Sequence, residues 1–473
     1  MKKIFIYSFI ALSLASCTME VINPELTEDS FVGTTQSSKI WLAGMKKQFA
    51  STLNDAVVFS EIVSDNYYNN SSLSNKVFDG MQLLYSDVDI DNTQRSISRL
   101  REMAAYGVDR IIPNDVTVVD STKAEIYFLK AYAHILSGEM FVALPMTAQA
   151  EAVSPATHFN EAIKLINEAI RFQTVASYQS GYQMALARCY YNLGNKTEAL
   201  RVANNIISNY PLAVRNAIFD GMNGGSNTQQ SYTFSGTTNV LAPLPRLDFL
   251  DPKYYHEGNV NTGQKPIAIL KSEEAFLIAA EAQLGNNQLE PAKNTLRNLI
   301  TDVIAKRPTA MVDAKLQLRR GIRSDYPLAS ATKVKADPQS VAQENLVAGR
   351  TVSNIKVYTV SGTSVTVNDI NSAENVNQLL YLLSLMRQHI FMSEGRRMTD
   401  LGIRFPVSQI EKLNNSKIDA AFTTATIPGY IPSGFEMDDF TYDRANNLVT
   451  IKHDMNKILV ANKTAANIFP MLK

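Results

Sequence analysis

Apolar residues recur at helical spacing along most of the chain and predict a mainly α protein. In 121–143, for example, alanine, leucine and aromatic residues return every three to four positions, which is typical of a helix with one buried face. The same spacing predicts helices at 31–53, 93–111, 121–143, 158–172, 179–193, 196–209, 270–285, 290–305 and 374–395. A helical scaffold is therefore expected.

Two of the predicted helix pairs share a pattern of small and large residues. The pattern has the tetratricopeptide spacing at Leu186, Ala187, Tyr190, Gly194, Ala199, Ala203 and Pro211, and again at Ala279, Ala280, Ala292, Leu296 and Leu299. Small residues at a crossing let antiparallel helices approach closely, and such hairpins bury their apolar faces only by stacking on neighbours. We therefore expect a layer of tetratricopeptide-like helical hairpins.

Long segments outside the helices complete the predicted fold. They span about 211–268, 306–373 and 396–473. Alternating apolar and polar residues predict a β-hairpin in 352–369 and a second in 439–454, which turns at Asn446 and Asn447. The expected fold is mainly α, a tetratricopeptide-like helical-hairpin scaffold with long irregular loops and small β-hairpins, in one domain over 31–473. Loops of this length in a domain usually bind something.

The N-terminus has the features of a cleaved export signal. Two lysines precede an apolar run at 4–14, which is too short to span a bilayer. The run ends in the sequence LASC, which resembles the bacterial lipoprotein box, where the cysteine is acylated and becomes the new N-terminus. We therefore expect residues 1–16 to be a signal peptide, Cys17 to be the lipidation site and 17–30 to be a tether.

Charge and motif content argue against several classes of function. The chain has 45 Lys plus Arg and 45 Asp plus Glu, so no basic excess suits it to a nucleic acid. It lacks Gly-x-Ser-x-Gly, His-Glu-x-x-His, a phosphate-binding glycine loop and Cys-x-x-Cys, and its five histidines lack metal-ligand spacing. We expect no enzyme activity, no cofactor and no metal ligands, although the many carboxylates leave a pair for glycoside hydrolysis open.

Three stretches of the sequence resemble the SusD/RagB family of surface nutrient-binding lipoproteins. Residues 124–146 resemble that family's helix ending in Gly-x-Val-Pro-Leu, with Lys130 and Val142 replacing the usual Arg and Gly. Residues 269–300 resemble its Glu-x-x-Leu-Ile-x-Ala-Glu-Ala helix and the partner helix. Its late signature is matched within 386–405 at Arg387, Glu394, Gly395, Arg397, Asp400 and Leu401, while Met386, Ile390 and Met398 depart from it.

The resemblance implies a function at the cell surface. A protein of this family is lipid-anchored in the outer membrane, faces outside, captures a nutrient and delivers it to a SusC-like TonB-dependent transporter. A glycan or oligosaccharide is the expected ligand. The alternatives are a peptide-binding member of the same family and a tetratricopeptide-like envelope scaffold without a small-molecule ligand.

Aromatic residues on polar loops are the candidate ligand-binding residues. Tyr67 and Tyr68 lie among Asn66, Asn69 and other turn-forming residues, and we expect them to be exposed. A second aromatic pair lies in a stretch rich in Gly, Ser and Thr, at Tyr232 and Phe234. Aromatic faces flanked by amides are typical of sites that bind sugars or peptides.

Charged residues near the end of the last long helix form a separate group. Arg387, Glu394, Arg397 and Asp400 recur at intervals of three to seven residues, so they lie on neighbouring helical faces. Guanidinium and carboxylate groups at this spacing can form ion pairs with one another. We therefore predict a structural charge network here and not a ligand site.

Overall fold

The structure, a computed structural model, describes residues 31–70, 76–233, 241–255, 258–314 and 325–473. The predicted signal peptide, the lipidation site Cys17, the tether and Phe234 lie outside the described residues. Within the described ranges, no helix is both long enough and apolar enough to cross a membrane.

Helices make up most of the regular structure in the described residues, which confirms the prediction of a mainly α fold. Those of four or more residues, named α1 to α15 in chain order, are Ser37–Ile62, Lys76–Asp79, Val88–Tyr106, Asp120–Met140, Pro155–Phe172, Ala176–Asn192, Lys196–Asn209, Thr228–Thr233, Glu273–Gly285, Leu289–Asn298, Val367–Ser372, Val376–Phe391, Arg397–Asp400, Gln409–Asn414 and Met455–Ala461. Two π-helical turns, Gly107–Ile111 and Leu299–Val303, continue α3 and α10. The first helix extends well beyond the predicted end at 53, because apolar residues continue to Ile62.

The long helices pack on one another in chain order. The helix α3 packs on α4, then α4 on α5, α5 on α6, α6 on α7, α7 on α9 and α9 on α10. The helix α1 packs on α3 and α4, while α12 packs on α9 and α15 packs on α12. One apolar core runs through this array from Leu42 to Met471. The C-terminal helices are thereby joined to the helical layer formed by α3–α10.

Both predicted tetratricopeptide-like hairpins turn in the same way. Gly194 after α6 has φ 67° and Asn287 after α9 has φ 57°, which is the left-handed conformation typical of a helix C-terminus. In each hairpin the next residue donates its N–H to a carbonyl five positions back, at 2.9 Å. Ala187 and Ala280 are buried at the helix crossings. The prediction of stacked helical hairpins is confirmed.

The strands of the described residues are short and mostly pair in twos. Named β1 to β11, they are Tyr67–Asn69, Leu144–Pro145, Ala152–Val153, Val214–Ala217, Leu241–Pro243, Ile267–Lys271, Thr309–Asp313, Lys333–Lys335, Asn354–Tyr358, Phe440–Asp443 and Leu448–Ile451. The antiparallel pairs are β1 with β5, β2 with β3, β4 with β6, β7 with β9 and β10 with β11. The strand β8 lies parallel to β11 and completes a sheet of three strands.

One of the two predicted β-hairpins is present and the other is wrong. The strands β10 and β11 form the hairpin predicted at 439–454, and Asn447 in its turn has φ 51°. The hairpin predicted at 352–369 does not form, because β9 pairs with β7, more than forty residues earlier. The second half of the predicted hairpin forms the start of α11 instead, where Thr366 and Asp369 form a capping box.

Candidate functional site

The segment expected to be an exposed loop at 66–69 is a buried strand. Tyr67 in β1 has no exposed surface, and its hydroxyl lies 2.6 Å from Ser393 Oγ. The side chain of Asn66 is also buried and donates to Glu61 Oε2 at 2.8 Å. The expectation of exposed tyrosines is therefore wrong for both Tyr67 and Tyr68, which is 7% exposed, because β1 pairs with β5 inside the fold. Neither Tyr67 nor Asn66 presents its side chain to solvent.

The buried carboxyl group of Glu61, next to Asn66, has a raised pKa. The carboxyl group accepts hydrogen bonds from Asn66 and from the backbone N–H of Gly395, at 2.8 and 2.9 Å. Burial raises the pKa of Glu61 to about 7, since water no longer solvates the charged form, and Glu394 raises it further. The hydrogen bonds act in the opposite direction but do not cancel the effect of burial.

Stability should therefore fall with rising pH through this group. Between pH 4.5 and about 7 the folded protein keeps a proton that the unfolded chain has released, so the free energy of unfolding decreases as the pH rises through that window. The side chain of glutamine resembles the protonated acid and does not titrate. In Glu61→Gln we therefore expect the decrease in the free energy of unfolding over this pH window to be smaller by up to about 3 kcal/mol. Urea unfolding of both proteins at pH 5 and pH 8 measures the difference. An equal pH slope in the two proteins would contradict the assignment.

The second predicted aromatic pair is only partly described. Tyr232 lies in α8 (Thr228–Thr233), is half-buried and packs against the apolar core. Burial raises the pKa of its hydroxyl. Tyr68 lines an open cavity that is described below, and Tyr232 is not among the residues of that lining. The structure therefore does not bring the two predicted aromatic pairs together. Their ligand-binding roles stay predictions.

An open cavity of about 620 Å³ lies beside the C-terminal end of β1. It includes two of the predicted residues, Tyr68 and Asn69, and it reaches the β10–β11 hairpin. We call it the Phe435 pocket; its described lining is Tyr68, Asn69, Asn70, Lys76, Asp79, Phe435, Glu436, Asp438, Asp439 and Lys452. This volume is within the range of about 300–1,000 Å³ that small-molecule sites occupy.

Phe435 supplies the aromatic surface of the pocket. Its side chain is 49% exposed, and it lies on the short 3₁₀ turn Gly434–Glu436, in which Gly434 has φ 62°. The ring covers Gly80 so closely that a Cβ built on Gly80 would lie 2.9 Å from Phe435. The ammonium group of Lys76 lies 5.9 Å from the ring centroid. The ring is thus held between the glycine and the lysine while part of it faces solvent.

An aromatic cluster supports the floor of the pocket. The ring of Tyr68 lies 6.3 Å from Tyr326 and 5.9 Å from Phe440, measured between centroids. Tyr326 and Phe440 are 6.1 Å apart in an edge-to-face arrangement. Such pairs are favourable because the positive edge of one ring meets the negative face of another. The cluster joins β1 to β10 and fixes the direction of Tyr68.

Carboxyl groups line the polar side of the pocket. Asp79 and Asp438 share a hydrogen bond, and burial raises the pKa of Asp79, which its neighbour Lys76 lowers in part. A hydrogen bond between two carboxyl groups requires one proton, and burial favours the protonated form of Asp79. Nearer the solvent, Glu436 lies 2.8 Å from Lys452 Nζ. The pocket therefore offers carboxyl, ammonium and amide groups around one aromatic ring.

Phe435 could have been recognised from the sequence as a candidate ligand-binding residue. Phe435 lies between Gly434 and Glu436, so it is an aromatic residue in a turn flanked by polar groups, as Tyr67 and Tyr68 were expected to be. Asp79 and Asp438 carry no comparable signal, because they are separated by hundreds of residues and only the tertiary fold brings them together.

The predicted charge network at 387–400 is divided between different partners. Arg387 Nε lies 2.7 Å from Asp400 Oδ1, as the spacing suggested. Arg397 instead forms two hydrogen bonds with Asp65, at 2.6 and 3.0 Å, and this pair ties α13 to the residues before β1. Both carboxylates are stabilised by their arginines, and the pKa of Asp65 is lowered mainly by Arg397 against the effect of burial.

Glu394 pairs with lysines and with neither arginine. It accepts a hydrogen bond from Lys271 Nζ at 2.7 Å and another from Lys253. Burial lowers the pKa of Lys271 to about 8, while Glu394 raises it. The expectation that all four residues would pair internally is therefore wrong for Glu394 and Arg397. The reason is that these side chains point into the core, where they meet residues from remote segments.

In the described residues the histidine and cysteine side chains form no metal-binding cluster. No group of three or more His, Cys, Asp or Glu in these ranges could hold a metal ion. The buried histidines His134 and His158 lie with their Nδ1 atoms 3.0 Å apart, and burial lowers the pKa of both. Cys189 is buried and has no exposed surface.

Comparison with known proteins identifies the fold. A SusD superfamily protein from Bacteroides vulgatus has a TM-score of 0.57 and 11% sequence identity, and the match covers 82% of this chain and 99% of that one. A SusD superfamily protein from Bacteroides thetaiotaomicron has a TM-score of 0.53 and 14% identity, covering 82% and 98%. A SusD-like carbohydrate binding protein from Bacteroides vulgatus has a TM-score of 0.50 and 11% identity, covering 78% and 83%.

Sequence comparison supports one part of the same conclusion. The tetratricopeptide repeat family matches residues 183–213, which span most of α6 and all of α7. No curated protein sequence matches the chain. The protein therefore has the SusD-like fold, built on helical hairpins of the tetratricopeptide type. The fold expected from the SusD/RagB resemblance is confirmed.

Proposed function

We propose that this protein is a non-enzymatic binding protein that captures a glycan or oligosaccharide in the Phe435 pocket. One observation carries the proposal: in a SusD-like fold, an open cavity of about 620 Å³ combines an exposed aromatic ring with carboxyl, amide and ammonium groups. A solved structure of the same fold is described as a carbohydrate binding protein. That likeness supports a sugar as the ligand class.

The chemistry of the pocket fits a sugar on two sides. The exposed part of Phe435 can cover the apolar C–H face of a pyranose ring, since aromatic rings offer a rigid apolar surface. Hydroxyl groups on the ring edge both donate and accept hydrogen bonds. Asn70, Asp439 and Lys452 line the same cavity and supply acceptors and donors for them.

Binding should depend on Phe435 more than on any other exposed aromatic residue. We expect Phe435→Ala to weaken binding by about 1–3 kcal/mol, as truncation of an aromatic contact residue does. Tyr178→Ala is the matched control, because Tyr178 is 44% exposed but lies outside this pocket. A glycan and peptide array selects the ligand, and calorimetric titration of the three proteins measures its affinity.

The result separates the proposed function from its alternatives. Equal losses in both variants, or no loss in Phe435→Ala, would exclude the Phe435 pocket as the binding site. If the array shows binding of peptides and not of glycans, the proposed ligand class is wrong. The Phe435 pocket would still be the binding site if Phe435→Ala weakened peptide binding. An array without any ligand would favour the envelope scaffold.

We also propose that the protein is lipid-anchored at Cys17 in the outer membrane, faces outside and delivers its ligand to a SusC-like TonB-dependent transporter. The lipoprotein box supports the anchor, and the resemblance to SusD/RagB supports the partner. Several acyl chains on one cysteine give stable anchoring, since each buried CH₂ contributes about 0.8 kcal/mol. Incorporation of a fatty-acid analogue into the protein tests the anchor, and co-purification of a large barrel protein tests the partner.

A further inference from the structure

A second cavity lies between the C-terminal segment 466–470 and the helices α12 and α13, and its chemistry differs from that of the Phe435 pocket. Its volume is about 90 Å³. We call it the arginine cavity, because four guanidinium groups line it: Arg387, Arg396, Arg397 and Arg404. One water occupies about 10–15 Å³ on this measure, so the cavity has room for a small polyatomic ion.

Two of these arginines have buried donors without acceptors. Arg396 uses Nη2 to bond Glu274 at 2.8 Å, but neither its Nε nor its Nη1 has a hydrogen-bond partner among the described residues. Arg387 bonds Asp400 through Nε, while its Nη1 has no such partner. Both side chains are only 4–5% exposed. Buried donors are nearly always paired, so these three nitrogens call for an acceptor.

Aromatic rings hold the two guanidinium groups in place. The guanidinium carbon of Arg387 lies 4.8 Å from the centroid of Tyr191 and 5.4 Å from that of Phe391. The guanidinium carbon of Arg396 lies 5.2 Å from Phe391. Planar guanidinium groups stack favourably on aromatic faces, which fixes the directions of their N–H groups. The cavity is therefore organised for an acceptor before one binds.

Among the side chains that line the cavity, the four arginines outnumber the single carboxylate, Asp400. Arg387 is paired with Asp400, and Arg397 with Asp65. Arg404, in contrast, donates its Nε only to the backbone carbonyl of Gly138, at 3.3 Å, and forms no ion pair with the described residues. Burial lowers the pKa of Arg404, which reflects the cost of holding this charge away from water, and the nearby Glu139 offsets that effect only in part. An anion would offset that cost.

One lining group selects among anions. Asp400 lines the arginine cavity, and its Oδ2 is buried without a hydrogen-bond partner among the described residues. A carboxylate oxygen repels an anion that has no proton, but it accepts a hydrogen bond from an anion that carries a hydroxyl group. Hydrogen phosphate has such a group at neutral pH, and sulfate has none.

We propose that the arginine cavity binds a small oxyanion that keeps a proton, with hydrogen phosphate as its type. The guanidinium nitrogens of Arg387 and Arg396 donate to its oxygens, Arg404 balances its charge, and its hydroxyl donates to Asp400 Oδ2. The ion would enter past Ala466 and Asn467, which are exposed at the edge of the cavity. This site is separate from the Phe435 pocket and does not depend on the proposed sugar binding.

The test is a calorimetric titration of the purified protein with phosphate, sulfate and chloride at constant ionic strength and pH 7. Phosphate should bind saturably and at least about tenfold more tightly than sulfate, the ratio expected when one anion gains a charged hydrogen bond that the other lacks. Thermal unfolding below about 10 mM anion gives a second readout, because both anions stabilise proteins non-specifically only at high concentration.

Two variants test the assigned roles. Asp400→Asn should abolish the preference for phosphate, since an amide can donate to sulfate, whereas the control Asp302→Asn at an exposed ion pair should keep it. Arg404→Gln should weaken the binding of both anions. If Asp400→Asn does not fold, Arg404→Gln and the titration of the unmodified protein decide. Equal affinity for phosphate and sulfate, or no saturable binding of phosphate, would overturn the proposal.

Discussion

Replacing Glu274 with alanine is expected to destabilise the protein by about 3–5 kcal/mol, because two buried guanidinium groups would lose the carboxylate that they share. Glu274 lies in the first turn of α9 and accepts hydrogen bonds from Arg188 Nη2 at 2.9 Å and from Arg396 Nη2 at 2.8 Å. The side chains of Glu274 and Arg188 are each only 2% exposed. The two arginines lower the pKa of Glu274 despite its burial, which indicates that the carboxylate is charged in the folded protein.

A surface ion pair provides the matched control for this prediction. Glu198 and Arg201 in α7 lie 2.7 Å apart, but the side chain of Arg201 is 62% exposed. We expect Glu198→Ala to cost less than about 1 kcal/mol, because water solvates the remaining charge. Urea unfolding gives both free energies. A cost below about 1 kcal/mol for Glu274→Ala would show that the buried arginines find other acceptors.

Replacing Tyr67 with alanine is expected to cost about 3–5 kcal/mol, which is the range for deleting a large aromatic side chain from a core. Tyr67 is fully buried in β1, between the end of α1 and the loop that contains Ser393. The sequence alone suggested the opposite, namely a ligand contact with little effect on stability. Removal of the ring would leave a cavity next to the hydroxyl group of Ser393.

Two further substitutions separate the contributions of the ring and the hydroxyl of Tyr67. Tyr67→Phe keeps the ring and removes one hydrogen bond, so we expect a cost of about 1 kcal/mol. Tyr232→Ala, at a half-buried aromatic, should cost less than Tyr67→Ala. Thermal and urea unfolding of the three variants measure these costs. A stable Tyr67→Ala protein with reduced ligand affinity would restore Tyr67 as a ligand-binding residue.

Local sequence signals were sufficient to predict most of the long helices, although not the short ones. The helix α7 begins and ends where the spacing predicted, since Asn195 caps its N-terminus through a hydrogen bond to the N–H of Glu198. The hairpin β10–β11 was also predicted correctly, because its two strands are joined by a turn only a few residues long. Caps, helical spacing and short turns involve neighbouring residues, so they are visible in the sequence.

Pairing between remote segments could not be predicted. The strand β9 has an alternating sequence that suits a hairpin, yet its partner β7 comes from a segment that precedes it by more than forty residues. Likewise, the short sequence around Tyr67 has the composition of a turn, but pairing with β5 places it in the core. The composition of a segment indicates its local conformational preference. Whether its side chains are exposed depends on which other segment packs against it.

The sequence by itself determined the helical scaffold, the tetratricopeptide-like hairpins and the family resemblance. Only the tertiary structure decided how the charged residues pair. The spacing of Arg387 and Asp400 indicated an ion pair, but nothing local indicated that Arg397 would meet Asp65 or that Glu394 would meet two lysines. The Phe435 pocket depends in the same way on the meeting of Asp79 with Asp438. Helices follow from interactions over three or four residues, whereas sites and ion pairs depend on contacts between segments far apart in the chain.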